Sequence, residues 1–325
     1  MFNCENKNLS CEFFFDNKFG YTCKVTEDFD STTKFINLSG VTGDHITIDK
    51  FLSYSNKDVF RVMFFDLDIS HIPASITKQF PNLRTLQIKK CGLLELSREN
   101  SFHDLRRMYL GFNKIKNIPS TYFWHFCRLE ILSLPENQIA SIPQMAFRDL
   151  INLERLSLHG NRLMTIDPLL FVHCIKLEYV DLDNNTIQSI EGDWFAKQPK
   201  LYKVSINNND IQFIDKRFLT TWRSRNSSVA KINRHASFKN NTCIDFSLEN
   251  EKDFKEFQQV ISDNCSISLT TTPATTTTEK VTVRTTPTYK PIRVLWFENC
   301  VWNVQKEFQY IYKNNHLVQK FKIHQ

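Results

Sequence analysis

Apolar and polar residues alternate along the chain in a frame that recurs about every 24 residues. The segment from Leu153 to Leu163 reads LxxLxLxxNxL. The same frame begins at Val59, Leu83, Leu105, Leu129, Leu153, Leu177 and Leu201, and its four apolar slots are apolar in all seven copies. A fixed period of roughly 20–50 residues is typical of stacked repeats, so the pattern predicts a solenoid.

Each copy predicts a short strand followed by a tight turn. The alternating apolar slots of LxxLxL face one side of the strand, which neighbouring repeats must bury. The ninth slot holds Asn in five copies, where the amide is expected to pair with buried turn backbone. These are Asn113, Asn137, Asn161, Asn185 and Asn209; Leu67 and Cys91 fill the slot in the first two copies. A column of Phe is expected inside the convex side, formed by Phe123, Phe147, Phe171 and Phe195.

These repeats resemble the leucine-rich repeat family over about half of the chain. The resemblance implies an α/β solenoid, a right-handed leucine-rich repeat horseshoe with a parallel concave sheet and disulfide caps at both ends. The chain is similar to insect secreted and receptor-ectodomain members, such as leucine-rich immune proteins and Toll ectodomains. The expected divisions are residues 1–58 (N-terminal cap and irregular first strand), 59–232 (seven repeats), 233–265 (C-terminal cap), 266–290 (Thr-rich stalk or linker) and 291–325 (unassigned basic and aromatic tail).

The resemblance also implies one capping disulfide at each end of the array. Cys11 and Cys23 flank a predicted hairpin at the front, and an irregular first strand is expected at residues 36–38. At the back, Cys243 ends an LxLxxNxC pattern and is expected to bond to Cys265 beyond an amphipathic helix. Such disulfides indicate an oxidising compartment.

The other cysteines leave alternatives open, because nine is an odd number. Cys91 and Cys174 lie in buried slots and are expected to be inert free thiols. The state of Cys127 is left open. Cys4 and Cys300 lie outside the repeats, where either could form an intermolecular disulfide or remain a free thiol.

Composition favours an extracellular protein without a membrane span. Thr fills 11 of the 19 positions from 270 to 288, which is typical of an O-glycosylated stalk. N-glycosylation sequons occur at Asn8, Asn37, Asn184, Asn226 and Asn240. No apolar run approaches the roughly 18 residues of a membrane span. Residues 1–7 are polar, not signal-like, so we expect the sequence to begin at or inside the mature domain.

The sequence predicts no catalytic site, cofactor or metal. It contains neither H-E-x-x-H nor G-x-S-x-G, and its seven glycines form no phosphate-binding loop. Asp181 and Asp183 share the inner face of one strand, where a solvated acidic surface is preferred over a calcium site. The 41 basic and 35 acidic residues are evenly mixed and do not favour a nucleic-acid partner.

The residues between the apolar slots, Thr85 among them, are expected to face solvent on the concave side. This surface is expected to be basic and aromatic in front and acidic behind, which is either an interface or merely a solvated face. The candidate ligand-binding residues are Arg84, Lys89, Arg106, Arg107, Tyr109, Phe112, Glu130, Glu154, Arg155 and Tyr179. A glycan on Asn184 would cover part of the acidic end.

The sequence therefore favours an extracellular recognition module that binds a protein partner through the concave face. Innate-immune recognition and cell-surface adhesion are the roles that the resemblance suggests. The alternatives are a structural component of the extracellular matrix and a non-catalytic inhibitor or subunit of an enzyme. The tail beyond residue 290 is expected to be disordered or to form a short helix.

Overall fold

The computed structural model describes residues 9–16, 18, 20–27, 47–48, 52–53, 55–73, 76–97, 102–192, 194–215, 217–218, 235–244, 246–248, 253–265, 309–313 and 316–321. The expected strand at 36–38, the Thr-rich stalk, Cys4, Cys300 and the sequons at Asn8, Asn37 and Asn226 lie outside these residues. The chain divides into two units, residues 1–269 and 270–325.

The regular secondary structure described in the first unit is mostly short strands. In its front half these are β1 (Leu9–Asp16), β2 (Gly20–Glu27), β3 (Thr47–Ile48), β4 (Leu52–Ser53), β5 (Arg61–Phe65), β6 (Thr85–Lys89), β7 (Arg107–Tyr109) and β8 (Ile131–Ser133). In its back half they are β9 (Arg155–Ser157), β10 (Tyr179–Asp181), β11 (Ser189–Ile190), β12 (Lys203–Ser205), β13 (Phe213–Ile214), β14 (His235–Ser237) and β15 (Ser247–Leu248). The described α-helices are α1 (Ile76–Gln79) and α2 (Asp253–Asn264), and Asn56–Asp58 forms a 3-10 turn.

Eleven of the strands form one sheet in the order β1-β2-β5-β6-β7-β8-β9-β10-β12-β14-β15. Pairing is parallel from β2 to β14, and antiparallel only at the two outer pairs. The register aligns the same slot of every repeat, for example Val62 with Leu86 and Leu86 with Met108. Constant register keeps every apolar slot on the same face of the sheet. The predicted parallel sheet is therefore confirmed.

The neighbour of β5 differs from the sequence-based expectation. The prediction placed an irregular strand at residues 36–38 beside the first repeat. In the structure β2, the second strand of the cap hairpin, pairs with β5, and Cys23 aligns with Val62. The hairpin thus covers the front end of the array and also supplies its first parallel strand, β2. The parallel sheet therefore begins one strand before the first repeat.

The four apolar slots of all seven repeats are buried, which confirms the repeat frame. The predicted Phe column is also present, with ring centroids 5.8, 6.4 and 5.2 Å apart from Phe123 to Phe195. Phe218 and Phe238 extend this column toward the back cap, at 6.3 and 6.2 Å. Each repeat therefore packs its apolar side chains against the next, as a solenoid requires.

The Asn slot stabilises the turns through side-chain hydrogen bonds. In the middle of the array, Asn161 Nδ2 donates to the carbonyls of Leu134 and Leu158 at 2.9 Å, and its Oδ1 accepts from the Ile139 N–H at 3.1 Å. All five Asn side chains are buried and bonded in this way. Asn241 of the back cap continues the ladder. The predicted role of this slot is confirmed.

Both capping disulfides form as predicted. Cys11 and Cys23 bridge β1 and β2, and Cys243 bonds to Cys265 at the end of α2. Ile261 of α2 is buried in the hydrophobic core, and this helix contacts β15. Cys91 and Cys174 are free and buried, as expected, whereas Cys127 is disulfide-bonded. The sequence had left the state of Cys127 open.

In the second unit, β16 (Gln309–Lys313) and β17 (His316–Phe321) form an antiparallel hairpin. The expectation of a disordered or helical tail is therefore wrong for these residues. Aromatic and β-branched residues favour strands, and this part of the chain contains Tyr310, Ile311, Tyr312 and Val318. The sequence-based expectation did not use this signal. Within the described parts of the chain, no helix has the length and apolar character needed to cross a bilayer.

Candidate binding surface

The parallel register arranges the concave face in three rows that run across the strands. The edge row precedes the strands and contains Phe60, Arg84, Arg106, Glu130, Glu154, Glu178 and Tyr202, joined by backbone hydrogen bonds. The middle row contains Arg61, Thr85, Arg107, Ile131, Arg155, Tyr179 and Lys203. The inner row contains Met63, Gln87, Tyr109, Ser133, Ser157, Asp181 and Ser205.

The front of the surface pairs cations with aromatic rings. The guanidinium of Arg84 lies 4.7 Å from the ring centroid of Phe60, and Lys89 Nζ lies 5.1 Å from that of Phe112. Such contacts hold exposed cations over apolar side chains. Arg61 instead donates to Asp16 of the cap hairpin at 3.1 Å. The hairpin thus contributes an acidic group to the front of the concave face.

The centre of the surface is built around Glu130 and Tyr109. Arg106 Nη1 lies 2.8 Å and Arg107 Nη2 lies 3.8 Å from the Glu130 carboxylate. Burial raises the pKa of Tyr109, whereas the positive charges of Arg107, Arg61 and Arg155 oppose the rise. A half-buried phenol therefore stands in the field of three guanidinium groups, each on a different strand.

The back of the surface combines a cation with acidic side chains. Lys203 Nζ lies 5.4 Å from the Tyr179 ring centroid. Burial, followed by the nearby negative charge of Asp181 and Asp183, raises the pKa of Tyr179 to about 12. Burial likewise raises the pKa of Asp181. Glu154 of the edge row is half-buried beside them.

One group of side chains at the back has the residue types of a metal site. His159, Asp181 and Asp183 bring ligand atoms within 4.8 Å of one another. The carboxylate of Asp183 accepts hydrogen bonds from Ser205 Oγ at 2.9 Å and from the Asn207 N–H at 2.6 Å. Because Asp183 already accepts these hydrogen bonds from the next repeat, its position is explained without a metal ion. We assign no metal to this group.

All ten candidate residues are exposed or half-buried on or beside the concave sheet. Arg84, Lys89 and Phe112 group at the front, and the other seven extend from the centre to the back. The sequence-based expectation that Thr85 faces solvent is wrong, because only 2% of this residue is exposed. It stands between Arg61 and Arg107 in the ladder, where long neighbours shield a short side chain. The binding role of the ten residues stays a prediction.

The expected change from basic to acidic charge holds for the edge row alone. That row runs from Arg84 and Arg106 to Glu130, Glu154 and Glu178. The middle row beside it has cations from front to back and no acidic residue. The sequence-based expectation recognised the column from Arg84 to Glu178 and extended its change of charge to the whole surface.

Each repeat turns at a corner with a left-handed backbone. The corner residues have φ between 52° and 62° and are Asp66, Lys90, Phe112, Glu136, Gly160, Asn184, Asn208 and Asn240. Asn tolerates this conformation better than most residues. The described sequons at Asn184 and Asn240 therefore lie at equivalent, exposed corners.

Comparison with known proteins supports the fold. Residues 127–186 match a model of the leucine rich repeat. No curated protein sequence matches the chain. The structure is similar to that of Toll in a Toll–Spatzle complex from Drosophila (23% identity, TM-score 0.50, 57% of this chain and 24% of that chain covered). It is also similar to an APL1 leucine-rich repeat domain (17%, TM-score 0.50, 73% and 60% covered) and to an LRIM1/APL1C complex (18%, TM-score 0.49, 72% and 40% covered).

The chain spans about a quarter of the Toll chain and three fifths of the APL1 chain that it matches. At these identities the likeness concerns the fold. The matched sequence segment, the stacked parallel strands and the Asn ladder agree with one another. The chain carries leucine-rich repeats and folds as a leucine-rich repeat solenoid.

Proposed function

We propose that this chain is an extracellular protein-binding module whose concave sheet is the recognition surface. The observation that carries the proposal is the grouping of Tyr and Arg side chains at the centre of that sheet. Tyr109 is half-buried in the field of three arginines, and Arg155 on the same surface is exposed. Tyr and Arg are the residue types most enriched among interface anchors.

The strand ladder supports this proposal because it holds the surface residues in fixed positions. Arg107 and Tyr109 belong to β7, whose apolar Met108 is fully buried between them. Their backbone pairs with β6 on one side and β8 on the other. Side chains on such a rigid strand lose less conformational entropy on binding than side chains on a loop would.

An extracellular location is supported by the two cap disulfides, since such bonds persist mainly in oxidising compartments. Toll, which has a similar fold, was solved in a complex with Spatzle that is described as a hub of development and innate immunity. We extend protein binding, and a role in innate-immune recognition, to this chain as part of the proposal. This step rests on the fold.

The test uses the double variant Arg107→Glu/Tyr109→Ala. Reversing Arg107 places a carboxylate beside Glu130, and removing Tyr109 deletes the aromatic anchor. Loss of one anchor costs about 2 kcal/mol or more, so affinity for the partner is expected to fall roughly 100-fold. Both side chains are solvent-facing, so the melting temperature is expected to stay nearly unchanged.

The wild type, the double variant and a Lys255→Glu control are immobilised and exposed to extracellular fluid. Lys255 is an exposed residue of α2 in the back cap. A soluble protein retained by the wild type and the control, but not by the double variant, supports the proposal. Equal retention by all three chains would exclude the concave centre as the binding site.

A further inference from the structure

The middle row alternates cations with apolar side chains on five consecutive strands. Arg107, Ile131, Arg155, Tyr179 and Lys203 stand side by side on β7, β8, β9, β10 and β12. Every second strand thus presents a positive charge. An Ile or a Tyr separates each cation from the next.

The spacing of these cations follows from sheet geometry. Neighbouring strands lie about 4.8 Å apart, so two strand steps separate successive cations by about 10 Å. The three cations therefore span about 19 Å along the array. Backbone pairing fixes this spacing and leaves only side-chain movement to adjust it.

The cations of this row are accessible. Arg155 is exposed and has no ion-pair partner among the described residues. Lys203 is exposed beside the Tyr179 ring. Arg107 keeps about a third of its side chain exposed and lies 3.8 Å from Glu130, a longer distance than that of Arg106. No other residue of the row carries a charge between β7 and β12.

We propose that the middle row binds an extended, polyproline II-like segment of a protein partner with an acidic residue at every third position. Polyproline II has three residues per turn and rises about 3.1 Å per residue, so every third side chain returns to one face after about 9.3 Å. A β-strand would present same-face side chains about 6.7 Å apart, which does not match the cations. This inference rests on the proposed function and names its ligand.

The chemistry of the row fits such a segment. The planar guanidinium groups of Arg107 and Arg155 match the two oxygens of a carboxylate. Ile131 and Tyr179 provide apolar contact surfaces between the cations. The residues between the acidic positions of the segment would pack there. Aromatic surfaces are a common platform for polyproline II ligands.

The neighbouring rows favour a protein over a uniformly charged polymer. Glu130, Glu154 and Glu178 line the edge row, and Asp181 lies in the inner row. A sulfated polysaccharide or a nucleic acid laid along the middle row would place negative charge against these carboxylates. A peptide with isolated acidic residues avoids this repulsion, because like charges in contact reduce affinity.

The test measures peptide binding to the full chain by fluorescence anisotropy. The probe is a nine-residue peptide with Glu at every third position and Pro and Ala between. Its control has the same composition with Glu at every second position. The first peptide is expected to bind about tenfold more tightly than its isomer, and a heparin oligosaccharide is expected to bind more weakly than both.

Two variants locate the site. Arg155→Ala is expected to lower the affinity for the first peptide about tenfold, with the melting temperature of the protein unchanged. Arg162→Ala is the matched control, because Arg162 is an exposed arginine of the same repeat outside the three rows. It is expected to leave binding unchanged.

The proposal is wrong if neither peptide binds, if the isomers bind equally, if heparin binds most tightly, or if Arg155→Ala has no effect. These outcomes can be distinguished from a failure of the proposed function. If the peptides fail while Arg107→Glu/Tyr109→Ala still loses the captured partner, the concave face binds a protein of different chemistry.

Discussion

Phe112 combines two properties that are unfavourable in isolation. Its backbone is left-handed, with φ of 59°, and 45% of the residue is exposed. A non-glycine residue pays about 1–2 kcal/mol in this conformation, and Asn less than most. At three equivalent corners the chain has Asn, at positions 184, 208 and 240. An aromatic side chain kept in a strained, exposed position is a reason to suspect a binding role.

The substitution Phe112→Asn is therefore expected to affect stability and binding in opposite directions. Urea unfolding is expected to show a gain of about 0.5–1 kcal/mol, because Asn relieves the strain of the left-handed backbone. Affinity for the partner is expected to fall about tenfold, because the aromatic contact above Lys89 is lost.

Lys90→Asn is the matched control at the neighbouring corner, where φ is 57°. It is expected to give a similar gain in stability with a smaller effect on binding. Unchanged affinity for Phe112→Asn would show that Phe112 does not contact the partner.

At the scale of elements, the sequence predicts the strands of the repeats well and the docking of the front cap poorly. The apolar period is set by burial, so the seven repeat strands and their core residues could be read directly. The docking of β2 on β5 carries no periodic signal. It joins residues about 40 positions apart, such as Cys23 and Val62, through backbone bonds that any side chain permits. The contact between Asp16 and Arg61 was missed for the same reason.

The caps are the elements whose stability depends on covalent bonds. The two disulfides close loops with sequence separations of 12 and 22 residues. In the chain-entropy model each contributes about 3 kcal/mol by restricting the unfolded chain. Peptide mapping of the unreduced protein is expected to recover both pairs. Replacing Cys243 and Cys265 together by Ser is expected to lower the free energy of unfolding by about 3 kcal/mol.

The control for the cap is Lys255→Ala, which changes an exposed residue of α2 and is expected to shift stability by about 0.5 kcal/mol at most. A double Ser variant as stable as this control would mean that the back cap is held by the packing of Ile261 alone. Recovery of Cys243 with a different cysteine would contradict the cap assignment itself.

At the scale of the whole array, nine parallel strands from β2 to β14 give a sheet about 38 Å long. The seven predicted strands would give about 30 Å, so the caps add one strand at each end. The front and centre of the concave face carry Phe60, Tyr109, Phe112 and most of the arginines. The two described sequons lie at corners behind the centre, and the corner of Asn184 is three strands from that of Phe112.

This arrangement predicts that N-glycans cover the back corners and leave the front and centre open. The chain is produced behind a secretion leader in a eukaryotic host and analysed by glycopeptide mapping. Asn184 and Asn240 are both expected to be modified, because both are exposed and share one corner geometry. Thr186→Ala and Thr242→Ala remove these sequons without changing the Asn residues, and each is expected to remove one glycan. Thr165→Ala, at an exposed threonine outside any sequon, is expected to remove none.

The affinity for the partner, measured with and without these glycans, tests whether the partner reaches the back corners. Asn184 Nδ2 lies 3.0 Å from His159 Nε2, so a glycan there projects beside the acidic back of the sheet and about 14 Å, or three strand steps, behind β7. If the partner occupies the rows of the concave face without reaching the corners, the Thr186→Ala/Thr242→Ala variant is expected to bind it with an affinity within twofold of the glycosylated chain. An increase of tenfold or more would show instead that the partner reaches the back corners and competes with the glycans for them. Unmodified Asn184 and Asn240 in secreted, folded protein would contradict the glycosylation prediction but leave the binding surface as proposed.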